Sequence, residues 1–455
     1  MKKKSEHWWS DEPHFQYYTD KDQYDREGIE GYEPMTAKEL DTVEKQDEYL
    51  NDPNNIIEEK FDGTRGLCYF FAQEDDGWCR LFSRRISKKT GFYVENTDSL
   101  PQIRDTNVPE LAGTILDGEV FIPMQDFETS CGIMNSKYDR AIEMQEKLGF
   151  EVFHAFDILF YCGKDLRNMS LKRRKYFLHK AVEEAGNPYI EEVEYHNCGA
   201  PVVQRITNDW IVKFGSDLSM QAKYPNLYKC LDTRRSYAYD YMIKLTPRAY
   251  YEYVVATGGE GVMVKPKNGK YLHKRGWEYS KIKKFLTREL VIVGYERPEK
   301  EYKGKFPDFY KWDYWERTSC GGNSKYCYDL SKYDQKKREE LETEGLWEPV
   351  TRNYALGLIG NLMLGVKITP SELETISPKN RGPMIDDYMV VCICSGFTDE
   401  VREEITKHQK DYLFKVVEVK ANEIFRNKGT LRHPRFLRFR PDKNPTECTW
   451  KDHIM

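Results

Sequence analysis

The order of strand-like and helix-like segments is the feature that most limits the fold of this 455-residue chain. Between residues 51 and 287, short β-branched and aromatic runs such as GLCYFFA, TILDGEVFIP and EVFHAFDILFY are mixed with helical patterns. These segments lack the regular strand, helix, strand rhythm of a parallel sheet. The pattern therefore predicts an α+β domain of antiparallel sheets with flanking helices.

Two helices in this region are marked by their end signals. LKRRKYFLHKAVEEA follows Ser170 and stops before Gly186, which are residue types that favour the start and the end of a helix. RAYYEYVVA follows Thr246 and Pro247, a second favourable start. We expect both segments to be helical.

Beyond about residue 288 the chain reads as strands separated by loops, among them ELVIVGYE, NLMLGVKI and YMVVCICSGF. This pattern of strands separated by loops is typical of a small β-barrel, which we expect over 288–455. A segment rich in Tyr, Trp and Lys, 301–352, is predicted to be an insertion in the barrel. Residues 1–50 show no clear period and are predicted to be an N-terminal arm.

The composition excludes several classes of protein. No apolar run approaches the ~20 residues that a membrane-spanning helix needs, and no apolar segment follows the basic start MKKK. The eleven cysteines include no CxxC pair, which favours reduced thiols and a cytoplasmic location. Cys320 and Cys327 could form half of a metal site, but no second pair is visible.

The net charge of −5 hides a basic segment near the C-terminus. FRNKGTLRHPRFLRFRPDK contains many cations and few acids. Such a run either binds nucleic-acid phosphates or is a solvated surface, and charge alone does not separate the two.

The segment IIEEKFDGTRGLCYFF places Lys60 between two strand-like runs. A strand that ends at Lys60 and turns at Asp62 and Gly63 holds an amine at the mouth of a loop, where glycine lets a ligand approach the backbone. Taken alone, the segment is more typical of a surface turn with a solvated lysine.

Six further short segments follow the first in the chain, and each of them alone recurs by chance in many proteins. In order, the segments and their residues of interest are KFDGTR (Lys60, Arg65), FSRR (Arg84), LDGEV (Glu119), FDIL (Phe156), EGVMVK (Glu260), SKIKK (Lys281, Lys283) and RPDK (Arg440, Lys443). The ordered series resembles the nucleotidyltransferase superfamily of ATP-dependent DNA ligases, RNA ligases and mRNA capping enzymes.

The resemblance implies a covalent mechanism, because the motif lysine of this superfamily becomes linked to a nucleotide. It assigns that role to Lys60 and the binding of ribose and adenine of ATP to Arg65 and Phe156. Glu119 is placed near the ribose and, together with Glu260, at Mg²⁺, for which Mn²⁺ could substitute. Carboxylate oxygens are ligands that Mg²⁺ prefers.

The remaining motif residues are cations. Lys281 and Lys283, alternate residues of a predicted strand, point the same way and can favour the neutral, nucleophilic form of a nearby lysine. The resemblance implies that Arg440 and Lys443 reach the outer phosphates of ATP when two domains close. It places Arg84 at the nick phosphate.

The run GTLRHPRFLRFRPDKNPTE resembles the end of the OB-fold domain of ATP-dependent DNA ligases. It favours a monomeric DNA ligase that acts on nicked double-stranded DNA, with Arg432, Arg435 and Arg438 among the DNA-binding residues. An RNA ligase or a capping-type guanylyltransferase is the alternative within the superfamily. A catalytically inactive nucleic-acid-binding protein is the alternative outside it.

About fifty residues precede the KFDGTR segment, too few for the helical DNA-binding domain of larger ligases. We therefore expect the short two-domain type found in phages and some bacteria. The insertion is interpreted as an element that grips duplex DNA in place of the missing domain. The alternative is a decoration with its own small core.

Overall fold

The computed structural model describes residues 34–70, 79–86, 93–123, 125, 127–231, 241–302, 314–317, 327–329, 347–425 and 427–454. The chain divides into two compact units between Lys284 and Phe285. The boundary predicted from the sequence lies slightly later, between 287 and 288. The first part of the predicted arm, 1–33, most of the predicted insertion, and Cys320 lie outside the described residues.

The first unit combines strands with helices. Its strands are β1 (Thr36–Glu39), β2 (Asn55–Lys60), β3 (Thr64–Phe70), β4 (Cys79–Ile86), β5 (Tyr93–Glu95), β6 (Ile115–Phe121), β7 (Val152–Tyr161), β8 (Lys164–Asp165), β9 (Ile190–Glu192), β10 (Tyr195–Asn197), β11 (Val202–Ile206), β12 (Tyr241–Leu245), β13 (Gly261–Pro266) and β14 (Arg275–Lys283). Its α-helices are α1 (Val43–Asn51), α2 (Pro101–Arg104), α3 (Phe127–Met134), α4 (Tyr138–Leu148), α5 (Leu171–Ala185), α6 (Asn208–Ser216), α7 (Leu218–Lys223), α8 (Pro225–Cys230) and α9 (Pro247–Ala256).

Two larger sheets organise the first unit. The first has the strand order β1-β14-β13-β2-β10, and the second has the order β5-β4-β3-β6-β7-β8, with β9 beside β7. Within the described residues the pairings are antiparallel, apart from β1 with β14 and β7 with β9. The predicted α+β architecture of antiparallel sheets is therefore confirmed.

Residues 34–50 differ from the predicted arm, because they form β1 and most of α1. β1 pairs with β14, and the side chain of Thr42 caps α1 by accepting a hydrogen bond from the backbone N–H of Lys45. Met35, Leu40 and Leu50 are buried. Apolar residues this widely spaced give little periodic signal in the sequence, which is why the segment resembled an arm.

The two helices with clear end signals lie where the sequence predicts them. Gly186 follows α5 in the left-handed conformation at a φ of 57°, which favours glycine. The hydroxyl of Thr246 accepts a hydrogen bond from the backbone N–H of Ala249 at the start of α9. The side chain of Ser170, at the start of α5, makes no capping hydrogen bond.

Apolar side chains from both larger sheets pack together in the first unit. One cluster joins Leu67 and Tyr69 of β3 and Phe160 of β7, in one sheet, to Tyr279 of β14, in the other. α9 packs in a separate cluster with β2 and β13. These contacts fix β2, β3, β13 and β14 relative to one another, and those strands carry the predicted site residues.

The second unit is mainly β-structure. Its strands are β15 (Leu286–Glu296), β16 (Tyr314–Arg317), β17 (Cys327–Asp329), β18 (Trp347–Pro349), β19 (Asn361–Lys367), β20 (Met384–Ile385), β21 (Tyr388–Cys394), β22 (Val416–Ala421), β23 (Glu423–Phe425), β24 (Thr430–Arg432) and β25 (Arg435–Phe439). Its α-helices are α10 (Arg352–Ala355), α11 (Pro370–Thr375), α12 (Asp399–Lys407), α13 (Gln409–Tyr412) and α14 (Trp450–Ile454).

Six strands of the second unit form one sheet in the order β20-β21-β19-β15-β22-β25. A bridge between Ser395, just after β21, and Arg435 of β25 connects two strands that are far apart in this order. The sheet is therefore strongly curved. Its buried face includes Leu290, Leu364 and Val417.

The described parts of the predicted insertion form a three-stranded antiparallel sheet, with β16 between β17 and β18. Trp315 and Glu316 of β16 are buried. Lys300, which follows β15, forms ion pairs with Glu316 and with Glu348 of β18. Among the helices that the structure describes, none has the length and apolar character needed to cross a bilayer.

Candidate active site

Lys60 lies at the end of β2, in a row of paired residues that crosses three strands. In this row Gly261 of β13 pairs with Lys60 on one side and with Lys283 of β14 on the other. Paired residues of neighbouring strands point to the same face of a sheet. The register therefore brings the two lysines of two distant motifs to one face of the sheet.

Glu260 precedes this row and links its two lysines. One carboxylate oxygen of Glu260 lies 2.5 Å from Nζ of Lys60, and the other lies 2.5 Å from Nζ of Lys283. Burial alone would raise the pKa of Glu260, but the charges of Lys60 and Lys283 outweigh it and lower the pKa. Glu260 is therefore held as a carboxylate between two ammonium groups.

Two glycines are required by the close approach of backbones around Lys60. Gly261 has a φ of +147°, and a Cβ atom there would lie 2.1 Å from the carbonyl oxygen of Ile282. At Gly63 a Cβ atom would lie 2.4 Å from the carbonyl oxygen of Val120. Any larger residue would push apart the strands that position the lysine.

A second row of paired residues lies beside the first on the same face. Met263 of β13 pairs with Glu58 of β2 and with Lys281 of β14. Burial, together with the charge of Lys283, lowers the pKa of Lys281 to about 8. The two rows line one wall of a pocket of about 510 Å³.

The opposite wall of the pocket comes from the second sheet. Arg65 of β3 pairs with Glu119 of β6, and both residues line the pocket with Phe156 of β7. The guanidinium of Arg65 lies 4.5 Å from the centre of the Phe156 ring. Burial raises the pKa of Glu119, although the nearby charges of Lys60 and Arg65 oppose the shift.

Arg65 is held by groups that sequence reasoning did not assign. Its Nε and Nη2 donate to the two carboxylate oxygens of Asp117, each at 2.6 Å, and Nη2 also donates to the carbonyl of Met35 at 3.1 Å. The hydroxyl of Tyr271 donates to Asp117 at 2.6 Å. Asp117 is fully buried and lies two residues before Glu119 on the same strand, so alternation along β6 could have indicated it.

A buried charge cluster lines part of the pocket, and of its members only Lys265, in the EGVMVK segment, belongs to a motif identified from the sequence. The carboxylate of Glu58 lies 2.5 Å from Nζ of Lys265 and 2.6 Å from Nζ of Lys175. Nζ of Lys265 lies 4.6 Å from the centre of the Phe156 ring and 4.4 Å from that of Tyr279. Glu58 could have been recognised from the sequence, because it lies two residues before Lys60 and alternate residues of a strand point to the same face.

Asp157 forms a second buried anchor near this cluster. It accepts two hydrogen bonds from Arg174 of α5, at 2.7 and 2.9 Å, and one from the hydroxyl of Tyr279, at 2.5 Å. Although burial alone would raise the pKa of Asp157, the charge and hydrogen bonds of Arg174 lower it to about 2. Asp157 thus ties β7 to α5 and to β14.

The structure thus brings the motif residues of the first unit together at one pocket. Lys60, Arg65, Arg84, Glu119, Phe156, Lys281 and Lys283 line it, and Glu260 contacts two of them. Arg84 is exposed. The neighbouring motif residue Ser83 is buried and donates its hydroxyl to the carbonyl of Val94 at 3.2 Å.

The predicted metal ligands are two carboxylates, those of Glu119 and Glu260. Among the described residues, no group of three or more His, Cys, Asp or Glu side chains is arranged to hold a metal ion. Glu119 and Glu260 are near enough for the charge of Glu260 to raise the pKa of Glu119. Two carboxylates fit a hard cation such as Mg²⁺ when phosphate oxygens and water supply the other ligands.

Four of the five predicted cations of the second unit form ion pairs with acidic side chains. Arg432 lies 3.0 Å from Glu423, and Arg438 lies 2.6 Å from Glu418. Arg435 is exposed. The remaining two motif cations, Arg440 and Lys443, both contact Glu289.

The ordered motifs resemble those of covalent nucleotidyltransferases. Residues 34–207 match the family model described as the ATP dependent DNA ligase domain. This match confirms the resemblance to ATP-dependent DNA ligases that the motifs indicated.

Similar proteins carry ligase names. The chain is 23% identical over 267 residues to the SPbeta prophage-derived DNA ligase-like protein LigB of Bacillus subtilis, covering 57% of this chain and 73% of that protein. It is 25% identical over 401 residues to a DNA ligase of Archaeoglobus fulgidus, covering 86% of this chain but only about half, 52%, of the archaeal protein. A solved structure named Pmar-Lig_PreS3 aligns at a TM-score of 0.49 with 18% identity, over 90% of this chain and 67% of that one.

Proposed function

We propose that this protein is an ATP-dependent DNA ligase that seals nicks in duplex DNA through a nucleotide bound covalently to Lys60. The observation that carries the proposal is the position of this lysine. Its Nζ lies at one wall of a pocket and contacts a carboxylate shared with Lys283. A reactive amine beside a concave, cationic pocket is suited to attack a bound polyphosphate.

In the first step, Nζ of Lys60 forms a bond to the α-phosphorus of ATP while the bond to pyrophosphate breaks. The product is a lysyl-AMP phosphoramidate. The ammonium must first lose a proton, because only the neutral amine is nucleophilic. Lys281 and Lys283 can stabilise the charge that develops on the α-phosphate.

The other pocket residues are proposed to hold ATP. Phe156 offers a ring face to adenine, and Arg65, fixed by Asp117, is placed to donate to the ribose. Glu119 and Glu260 would hold Mg²⁺, with Mn²⁺ as a substitute. When bound, this metal ion neutralises phosphate charge and orients the leaving group.

In the second step, a 5′-phosphate oxygen of the nick attacks the phosphorus of lysyl-AMP and releases Lys60. In the third step, the 3′-hydroxyl attacks that 5′-phosphorus, AMP leaves, and the DNA backbone is sealed. Arg84, exposed at the pocket, is proposed to bind the 5′-phosphate. These contacts involve phosphates rather than bases, so no sequence preference is expected.

The second unit is proposed to be an OB-fold domain. Its curved sheet and the bridge between Ser395 and Arg435 support a closed barrel. Arg432, Arg435 and Arg438 are proposed to bind DNA phosphates. Arg440 and Lys443 are proposed to bind the outer phosphates of ATP during the first step, which requires closure of the two units. We expect a monomer that acts in the cytoplasm.

The insertion over 301–352 is proposed to add to the grip on duplex DNA. The alternative is a decoration with its own small core, which the buried Trp315 favours. A variant without this segment should bind nicked duplex more weakly than the whole chain. Equal binding would refute the proposal.

The proposal is tested by incubating the protein with radiolabelled ATP or GTP, followed by denaturing electrophoresis. Label from ATP is expected on the wild type and not on the Lys60→Ala variant. Lys147→Ala is the matched control, because Lys147 is exposed and pairs only with Glu143 in the described contacts. It should retain the label.

The same assay separates the alternatives. Label from GTP but not from ATP would indicate a capping-type guanylyltransferase, and no label would indicate a nucleic-acid-binding protein without this activity. An RNA ligase would be labelled by ATP but would join nicked RNA in preference to nicked DNA. Label that persists in Lys60→Ala would exclude Lys60 as the nucleophile.

A further inference from the structure

Glu289 of β15 occupies a central position among the charges of the second unit. It pairs directly with Glu418 of β22, and Glu418 pairs with Arg438 of β25. Two acidic residues directly opposite each other repel, so each is expected to need a cationic partner. Glu418 finds one in Arg438, and Glu289 finds its partners in the motif that follows β25.

The carboxylate of Glu289 lies between two cations. One of its oxygens contacts the guanidinium of Arg440, and the other lies 3.1 Å from Nζ of Lys443. Arg440 also donates to Asp442, at 2.7 Å from Nη2. The side-chain exposures of Arg440, Glu289 and Lys443 are 16%, 30% and 35%, so these contacts are partly shielded from water.

The arrangement matches the one that recognises a phosphate. Guanidinium and ammonium groups that converge on two carboxylate oxygens present the same donors to two oxygens of a phosphate. Both anions cannot use these donors at once. Asp442, adjacent in the motif, contacts Arg440 but no ion pair joins it to Lys443 among the described contacts. Glu289 is therefore the carboxylate that links the two cations.

We propose that Glu289 is an internal competitor of the pyrophosphate group of ATP: it occupies the Arg440–Lys443 cation pair, and a polyphosphate must displace it to bind there. The identity of the ligand rests on the proposed ligase function. Glu289 thus weakens nucleotide binding in the first step and keeps the two cations ordered when no polyphosphate is bound. The later steps, which involve no pyrophosphate, do not depend on it.

The expected effect is moderate. The ion pairs of Glu289 are partly exposed and therefore weak, so removal of this competing charge should tighten binding by only roughly two- to tenfold. Glu289→Gln keeps the size of the side chain and removes its charge. Asp387→Asn is the matched control, because Asp387 forms an exposed pair with Lys367 at 2.9 Å in the same unit.

The first experiment is equilibrium binding of inorganic pyrophosphate to the full chain, measured by calorimetry. Glu289→Gln is expected to bind pyrophosphate roughly two- to tenfold more tightly than either the wild type or Asp387→Asn does. The gain should disappear in the double variant Glu289→Gln/Arg440→Gln. Equal binding by Glu289→Gln and the wild type, or a gain that survives in the double variant, would overturn the proposal.

The second experiment separates the steps of the reaction. Glu289→Gln is expected to lower the KM for ATP in self-labelling and to leave the sealing of a pre-adenylated nick unchanged. A raised KM would show that Glu289 orients Arg440 productively, which contradicts competition. If the wild type takes no label from ATP, the ligase proposal fails, and the pyrophosphate titration still decides whether Glu289 competes for the cation pair.

Discussion

Replacement of Glu58 by glutamine should strongly destabilise the first unit. Glu58, Lys175 and Lys265 are only 1–2% exposed, and the carboxylate of Glu58 contacts both ammonium groups. Without that charge, two buried cations would face each other. Loss of one partner from a buried ion pair costs about 3–5 kcal/mol, so we expect the free energy of unfolding to fall by about this amount. The charge of Asp157, which acts on Lys265, favours the lower part of that range.

Urea denaturation followed by circular dichroism would measure this effect in the full chain, with the transition of the first unit fitted separately because two units need not unfold together. Glu143→Gln is the matched control. Its pair with Lys147 is 64–67% exposed, so the control should unfold at nearly the same urea concentration as the wild type.

The pH dependence of the Glu58→Gln variant gives a further check. Burial lowers the pKa of Lys265 in the wild type, although the charge of Glu58 opposes the shift. Loss of Glu58 should lower it further, so the unfolded chain would bind more protons than the folded one, and stability should rise as the pH increases. A loss below about 1 kcal/mol at neutral pH, like that of a surface pair, would refute the assignment of this cluster as a buried ionic core.

Three other perturbations test the geometry of the pocket. Gly261→Ala, whose Cβ atom would meet the carbonyl of Ile282 at 2.1 Å, should destabilise the first unit by more than about 1 kcal/mol in urea titrations and reduce self-labelling. Binding of α,β-methylene-ATP, which cannot react, should weaken as the pH rises through about 8, where Lys281 loses its charge, and Lys281→Arg should remove this fall. Tyr271→Phe removes a hydrogen bond to buried Asp117 and should lower the rate of self-labelling by roughly tenfold, because such bonds to charged groups contribute about 1.5–3 kcal/mol.

Each of these predictions has a contradicting result. Wild-type stability of Gly261→Ala would mean that the strands can separate without cost. A fall in analogue binding that is unchanged in Lys281→Arg would assign the titration to another group. For Tyr271→Phe, the matched control is Tyr161→Phe, since the hydroxyl of Tyr161 donates to exposed Glu184. Equal rates for the two variants would remove Tyr271 from the support of the site.

The sequence indicated that the motif lysines lie near one another, because motif order and strand period carry information about position. Lys281 and Lys283 are alternate residues of one strand, and the structure places both at the pocket with Lys60. The contact between Lys60 and Glu260 depends on the register of β2 against β13. Neither strand alone determines that register, so the sequence could not predict this contact.

The supporting residues were missed because pairing across long stretches of chain defines them. Asp117 becomes a partner of Tyr271 only when β6 lies near the loop before β14. Likewise, Lys175 of α5 contacts buried Glu58. In the sequence, a lysine among the many charged residues of this helix is expected to face solvent. Residues 34–50 were interpreted as an arm for the same reason, since β1 is defined by its parallel pairing with β14.

The shared carboxylate of Glu260 has a consequence for the electrostatics of the pocket. In the structure it is balanced by two ammonium groups, those of Lys60 and Lys283. In the proposed covalent intermediate, the nitrogen of Lys60 is part of a phosphoramidate and carries no positive charge until AMP is transferred to the nick. The pocket of that intermediate would carry one positive charge fewer beside the position where the nick phosphate is proposed to bind. The covalent and free forms of the protein would therefore present different electrostatic fields to DNA.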